Sequence, residues 1–454
     1  MASFYVENFG CRATQADGAA IERQLLERGL ARGSSAESAE IVVLNTCTVT
    51  AAADQDARAA IRRIKRGNPE ARIIVTGCYA QRAPEEIAKL DGVSLVVGNS
   101  HKHALPEMAA SLVSRGFVPV ASLGVRPDLA PVMVGDIFAH TELIAAPVFD
   151  SESAAERTRP NLKIQDGCNN RCSFCVIPYV RGKSRSLTLD SVLREVDSLV
   201  EAGYKEIVLS GINLGRWGND LRPRVRFEDL LRAIVEKTAI PRVRISSVEP
   251  MDWSNELIAI AAESPRVCKH AHVPLQSGSD RILRKMHRRY RPWHYADRIQ
   301  RIRAAMPNAA IGADVMVGFP GETDEHFEET RTFIDSLPFT YLHVFTYSSR
   351  PGTPSASMPA QVPVHTARER NKVLRDLIAA KKRAFMESLV GSEVEAVTLT
   401  TRHGDSTEAL TDNYQKMWIG GTIAANRLVR VKVAGVQGEA LVGNLVQTTN
   451  AAII

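Results

Sequence analysis

No stretch of this 454-residue sequence approaches the roughly 20 consecutive apolar residues that a membrane-spanning helix needs. Met1 to Gly10 carries no basic region followed by an apolar core, so no secretory signal is expected. The expected location is therefore the cytoplasm, with no membrane partner. Internal repeats and low-complexity tracts are also lacking. A large excess of either charge is lacking: the net charge of +6 is too mild to argue by itself for nucleic acid. The seven cysteines are an odd count, which in a cytosolic chain argues against a disulfide framework and for metal or cluster ligation. Gly318–Gly321 lacks the Lys-Ser/Thr of a phosphate loop and the spacing of a dinucleotide fingerprint, and reads as a strand-to-helix turn.

What is present is alternation. At roughly 100–200 residues per domain, the length suggests about two to four domains. Strand-length apolar runs at 4–9, 41–45, 71–76 and 93–97 alternate with helical stretches at 14–30 and 51–66. That pattern implies a parallel sheet with covered faces. A weakly patterned stretch, 138–159, reads as a linker. Six further strands follow, at 162–165, 206–209, 243–246, 270–274, 311–316 and 342–347. Helical segments at 189–202, 227–237, 253–262, 295–306 and 324–336 separate them, which suggests a partial or complete β/α barrel. A basic helix is expected at 365–389. From Gly391, short alternating runs at 394–399, 415–419, 428–433 and 440–445 suggest a small all-β barrel. The fold class is thus α/β, with domains expected at 1–140, 155–388 and 389–454.

Two cysteine groups carry the chemistry. Cys168, Cys172 and Cys175 lie in one loop with the spacing C-x3-C-x2-C, just after the first barrel strand. Thiolates hold iron–sulfur clusters, and three of them on a 4Fe–4S cluster leave one iron open for an exogenous chelate. A structural zinc site is the alternative, but it wants a fourth ligand that the nearby sequence lacks. Cys11, Cys47 and Cys78 are far apart in sequence, yet each follows the end of an expected strand. The carboxyl ends of parallel strands share one edge, so the three can converge there. Buried cysteine is also a common small hydrophobe, which is the plainer reading of each one singly.

Cys168-Asn-Asn-Arg-Cys172-Ser-Phe-Cys175 after the first strand of a barrel resembles the signature of the radical S-adenosylmethionine (SAM) enzymes. The whole layout resembles the methylthiotransferases within that group. The resemblance is carried by Asn45-Thr-Cys-Thr-Val49, Gly77-Cys-Tyr-Ala-Gln81, Pro178-Tyr-Val-Arg-Gly182, Pro274-Leu-Gln-Ser-Gly-Ser279, Gly318-Phe-Pro-Gly-Glu-Thr323 and Tyr347-Ser-Ser-Arg-Pro-Gly-Thr353. It implies an N-terminal methylthiotransferase domain with an auxiliary cluster on Cys11, Cys47 and Cys78. It implies further a radical SAM barrel, and a C-terminal TRAM-like barrel that binds RNA. The cofactors implied are two 4Fe–4S clusters and SAM, and the partners are tRNA and an electron donor such as flavodoxin or ferredoxin. In the family one SAM methylates sulfur, and a second yields the 5′-deoxyadenosyl radical that abstracts a substrate hydrogen. Among the family's branches, Gly10-Cys-Arg12 with Gln15 resembles the one acting on threonylcarbamoyladenosine in tRNA. Isopentenyladenosine in tRNA and an aspartate of a small-subunit ribosomal protein are the alternative substrates. Thr14 and Asp17-Gly18 depart from the family's usual Asn and Glu-Ser. A non-catalytic Fe–S protein that binds RNA or senses redox state is the alternative of another class.

Gly211 ends the second barrel strand, and the resemblance places it near the methionine portion of SAM; Glu249 and Gln276 sit at strand ends facing the same mouth and are candidate contacts to the ribose or amino group of SAM, or ordinary loop polarity. His270 and His272 alternate on one strand and share a face, as a metal pair or, by the plainer reading, for packing or substrate contact. Cys268 reads as a buried structural thiol. Arg181 and Arg185 follow the cluster loop and bind an anion or stand in solvent. From Arg281 to Arg303 nine Lys/Arg face one acidic residue, and from Arg368 to Glu387 seven face three. These read either as solvated helix faces or as a track for phosphates. From Gly391 onward five Lys/Arg stand against six Asp/Glu, which is no electrostatic footprint for RNA. Arg427, Arg430 and Lys432 are candidates for one basic face, and Tyr414 and Trp418 for base stacking or core.

Overall fold

A computed structural model describes residues 2–113, 129–139 and 158–446. Most of the segment read as a linker lies outside the described residues. The first sheet contains β1 (Ser3–Asn8), β2 (Ala31–Arg32), β3 (Ile41–Thr46), β4 (Arg72–Gly77), β5 (Val93–Gly98) and β6 (Val132–Met133). Its order is β2-β1-β3-β4-β5-β6, and every pairing is parallel. All six residues of β3 are buried, as expected of a strand covered on both faces. The helix Ala51–Gly67 shows why the cover forms. Thr50 accepts a hydrogen bond from the Ala53 N–H, and Ala57, Ala60, Ile61 and Ile64 make one buried stripe. The order reverses direction beside β1, so β1 and β3 flank the topological switch point, where open α/β sheets bind ligands.

The second body is a six-stranded parallel array flanked by helices. Its strands are β7 (Asn161–Asp166), β9 (Glu206–Gly211), β10 (Arg242–Ile245), β11 (His270–His272), β12 (Ala310–Val317) and β13 (Tyr341–Thr346). A short antiparallel strand, β8 (Arg185–Ser186), borders β7. Parallel pairings run β7–β9–β10, and β11–β12–β13, with a parallel bridge from Ser247 to His272 joining the halves. Among the described residues no pairing closes β13 onto β7, so the barrel is open. The expected helices are found, two of them with the expected bounds, Phe227–Lys237 and Asp324–Ser336. One expectation is corrected. The basic run 281–303 is two helices, Asp280–Lys285 and Pro292–Ala305, because Pro292 opens the second at its first position.

The C-terminal strands are β14 (Glu393–His403), β15 (Ser406–Thr411), β16 (Lys416–Gly420), β17 (Leu428–Gln437) and β18 (Ala440–Leu445). They close into a barrel in the order β14-β15-β16-β18-β17 around Ala396, Met417, Ile419, Val431 and Leu441. This barrel is anchored on the central one. The guanidinium of Arg244, on β10, donates to the carbonyls of Thr411 and Asp412 at 3.0 Å each, and Asn413 donates to Asn308 O at 3.2 Å. Arg427 precedes β17 and has the opposite parity to Arg430 and Lys432, so only the latter two share a face.

Candidate functional site

Cys11 follows β1, Cys47 directly follows β3, and Cys78 directly follows β4. These strands are adjacent, in the register Asn8–Asn45 and Thr46–Gly77, so all three thiols meet at one edge of the sheet. Two glycines allow the approach. Gly10 has φ +88°, and a Cβ on it would fall 2.5 Å from the Cys47 Cβ. Gly77 has φ +99°, and a Cβ there would fall 2.3 Å from the carbonyl oxygen of Thr46. Gly77→Ala is therefore expected to lower stability by about 2–3 kcal/mol in denaturant unfolding. It is also expected to reduce the iron bound after reconstitution, since Cys78 moves with the strained turn.

The second triad lies in the loop between β7 and the helix Ile177–Arg181. That loop is fastened at several points. Cys168 N–H donates to Gly182 O at 3.1 Å, Ser173 Oγ to Lys285 O at 2.7 Å, and Ser355 N–H to Ser173 O at 2.9 Å. Its sulfurs are solvated by protein donors. Arg288 Nη1 lies 3.2 Å from Cys172 Sγ, Asn170 N 3.4 Å from Cys168 Sγ, and Asn213 Nδ2 3.6 Å from the same atom. Asn99 Nδ2 approaches Cys78 Sγ at 3.6 Å in the first triad. Burial pushes two of these thiols up, Cys47 to about 11 with help from Cys78 and Cys11, and Cys175 to about 12 with help from Cys172. A cation reverses that preference by binding the thiolate.

The donor set fits a polynuclear cluster better than a single ion. Tetrahedral zinc at about 2.3 Å from each thiolate brings sulfurs to about 4 Å from one another. Among the described residues, the one group of three potential ligands whose atoms lie within 4.8 Å of each other is His272, Asp314 and His343. Neither cysteine triad is drawn in that far. Three thiols not drawn together to that distance suit a 4Fe–4S cluster with one open iron, and N–H donors to sulfur are the contacts that tune one.

Cys11 of the first triad and all of the second, Cys168, Cys172 and Cys175, line one cavity of about 630 Å³. Gly211, Glu249 and Gln276 line it too. Gly211 leaves space next to Gln165, whose Oε1 would stand 2.9 Å from a Cβ. Gln276 holds φ at +68°, an uncommon conformation for a residue with a side chain. The carboxylate of Glu249 is clamped by Arg288, which also touches Cys172. Arg288 belongs to the run read as a phosphate track, but it is 7% exposed and faces inward. Arg370, in the other basic run, is buried as well and pairs with Glu322 and Asp324. The phosphate-track reading therefore loses both residues. Nothing in the local sequence marks them as internal, since their partners lie far away along the chain.

Arg181 and Arg185 do meet an anion, and it is the protein's own. Arg181 Nη1 and Nη2 bond Asp166 and Asp17 at 3.0 Å each, and Arg185 lies 3.9 Å from Asp166. Cys268 is buried, as expected, with its Sγ 3.9 Å from Glu206. His270 and His272 both face the cavity. Tyr414 reaches the same cavity from the C-terminal barrel, with its ring centroid 4.5 Å from that of His270. Trp418 instead packs beside His403 and under the Lys416 ammonium.

Comparison with known proteins agrees with this geometry. Residues 162–334 match the model of the radical SAM superfamily, and residues 3–98 match an uncharacterized protein family, UPF0004. The chain is 36% identical to the threonylcarbamoyladenosine tRNA methylthiotransferase MtaB of Aquifex aeolicus, over 94% of this chain and 99% of that one. It is 33% identical to the tRNA-2-methylthio-N(6)-dimethylallyladenosine synthase of Erythrobacter litoralis, over 99% and 98% of the two chains. Among solved structures, the radical SAM methyltransferase TsrM of Kitasatospora setae, with cobalamin and a [4Fe-4S] cluster bound, shares the fold. Its TM-score is 0.60 at 16% identity, covering 82% of this chain and 84% of that one. No helix among the described residues is long and apolar enough to cross a membrane. A cavity shared by Cys11 and the second cysteine triad, and relatives matched along nearly their whole length, place the chain in the radical SAM methylthiotransferases, enzymes that use SAM and 4Fe–4S clusters to transfer sulfur.

Proposed function

We propose that this chain adds a methylthio group to C2 of N6-threonylcarbamoyladenosine at position 37 of tRNA, beside the anticodon. In this reading Cys168, Cys172 and Cys175 hold the cluster that engages SAM, and Cys11, Cys47 and Cys78 hold the auxiliary one. The observation that carries it is the shared cavity, which gives Cys11 and the second triad access to one substrate. The relatives at 36% identity from Aquifex aeolicus and Bacillus subtilis, both named for threonylcarbamoyladenosine, support that nucleoside. When bound, the clusters supply an electron for SAM cleavage and a site for the transferred sulfur.

The protein's own residues position and shield. Gly211, Glu249 and Gln276 are the proposed SAM contacts, with Arg288 holding Glu249 in place. Asn213 and Arg288 direct N–H groups at Cys168 and Cys172 and so give the sulfur of each ligand a hydrogen-bond donor. The reductant is proposed to be a flavodoxin or ferredoxin, and the location the cytoplasm, where tRNA is found. The test is mass spectrometry of tRNA nucleosides from cells with and without the gene. The methylthio derivative of threonylcarbamoyladenosine should vanish on deletion and return with the wild-type gene, but not with Cys168→Ala or Cys47→Ala. An unchanged level sinks the assignment and turns attention to isopentenyladenosine and the ribosomal protein.

A further inference from the structure

The cavity contains a polar corner that neither cysteine triad uses. His272 ends β11, Asp314 lies on β12 and His343 on β13, with Asp314 and His343 directly paired in register. The ring of His272 has its Nδ1 2.6 Å from Ser247 Oγ, while its Nε2 is buried without a hydrogen-bond partner. That Nε2 stands 3.5 Å from Asp314 Oδ1, and the ring centroid of His343 is 5.6 Å from that of His272. His272 lines the cavity and is only 7% exposed.

Two other domains contribute to this corner. Arg12, next to Cys11, lines the cavity and touches the Tyr414 hydroxyl with Nη2 at 3.4 Å. Among the described residues it has no carboxylate partner within ion-pair distance. Its charge is felt at His343, His270 and Tyr341, all of which line the same space. Tyr341 and Tyr414, with ring centroids 5.5 Å apart, form an aromatic wall. The wall exists because β12 has glycine at 312: a Cβ there would fall 1.9 Å from Tyr341 Cζ.

We propose that Arg12, His272, Asp314 and His343 form a subsite for an amino-acid group carried by the substrate nucleoside, a carboxylate flanked by hydroxyl and N–H donors. This rests on the substrate reading given above. An unpaired guanidinium suits a carboxylate, and the imidazole nitrogens add further polar partners. Asp314 accepts from the hydroxyl or ureido N–H of the same group. An isopentenyl chain offers none of these partners, so binding it here leaves buried polar groups unpaired. The subsite thus separates two substrates that share the same adenine.

The test uses reconstituted holoenzyme and anticodon stem-loop RNAs carrying threonylcarbamoyladenosine, isopentenyladenosine or adenosine at position 37. Dissociation constants without reductant, and KM and kcat with it, are measured for wild type, Arg12→Gln, Arg12→Lys and His343→Phe. Iron content and circular dichroism identify the folded, loaded variants. Arg12→Gln and His343→Phe are expected to weaken binding of the threonylcarbamoyl RNA by about 10- to 100-fold, towards that of the adenosine RNA. KM should rise more than kcat falls, and Arg12→Lys should recover part of the loss. If wild type prefers the threonylcarbamoyl RNA and both variants keep that preference, the subsite is wrong and the substrate reading stands. If wild type prefers the isopentenyl RNA, both fall. A stoichiometric divalent ion other than iron, lost in His343→Phe, would also overturn the proposal, because the three ligand atoms would then serve a metal.

Discussion

Asp17→Asn is expected to destabilise the fold by about 3–5 kcal/mol, the usual cost of removing one partner from a buried ion network. Asp17 accepts from Lys102 and Arg181 at 3.0 Å each, and it also bonds Lys163. Lys163 and Arg181 bond Asp166 in turn, at 3.1 and 3.0 Å. All five residues are buried, and they come from different places: the first helix, the turn after β5, β7, and the helix after the cluster loop. The network therefore joins the first sheet to the open barrel. Without the Asp17 carboxylate, Lys102 keeps only the Asn45 amide oxygen at 3.2 Å. Chemical denaturation of the apoprotein would measure the loss. Adding Lys102→Met to Asp17→Asn should recover part of it, because the second change removes the stranded charge. A loss below about 1 kcal/mol would show that water reaches the network.

The same network sets a dependence on acid. Burial alone would raise the Asp17 carboxyl, but Lys102, Lys163 and Arg181 overcome it and hold it well below its ordinary 3.8. Asp166 is depressed in the same way by Arg181 and Lys163 against burial. A depressed carboxyl contributes stability that is fully present above its unfolded value and is lost as pH falls towards the folded one. Wild type should therefore lose stability as pH drops below about 4, and Asp17→Asn should lose less over that range, as unfolding midpoints at several pH values would show.

The cysteines were legible because their signal is local. Each member of the first triad follows a strand whose apolar run ends within three residues, and parallel topology does the rest. The alternating pattern also marked the six barrel strands. The strand Ser406–Thr411 escaped because polarity hides it: Thr407 and Thr411 are buried, yet their hydroxyls bond backbone carbonyls or a neighbouring side chain. Arg288 and Arg370 escaped for the opposite reason. A basic run looks solvated until its acidic partners, Glu249 and Glu322, arrive from 39 and 48 residues away. Asp17 stood out in the sequence only as a departure from the family's pattern. Its meaning appears when Lys163 and Arg181 close over it from another domain. The cavity corner has the same character, since Arg12, Asp314 and Tyr414 come from three domains and no window of sequence contains two of them.

Removing the first triad should separate two activities that share one cavity. A Cys11→Ala, Cys47→Ala, Cys78→Ala variant is expected to fall from about eight to about four irons per chain after reconstitution. Its second triad keeps the contacts that fasten the loop, from Ser173 to Lys285 and from Ser355 to Ser173. Arg288 and Asn213 still face Cys172 and Cys168. SAM should therefore still be cleaved to 5′-deoxyadenosine under reducing conditions, while methylthio product falls below detection. The Cys168→Ala, Cys172→Ala, Cys175→Ala variant should lose both, although its first triad still binds iron. Chromatography of 5′-deoxyadenosine beside mass spectrometry of the nucleoside distinguishes the cases. Product formed without the first triad would mean that sulfur enters by another route, and that the convergence of three strand-end cysteines serves only packing or electron transfer. The position of Cys11 in the cavity argues against that outcome. Cys11 faces the same space as the second triad, and a group placed there lies beside whatever substrate the cavity admits.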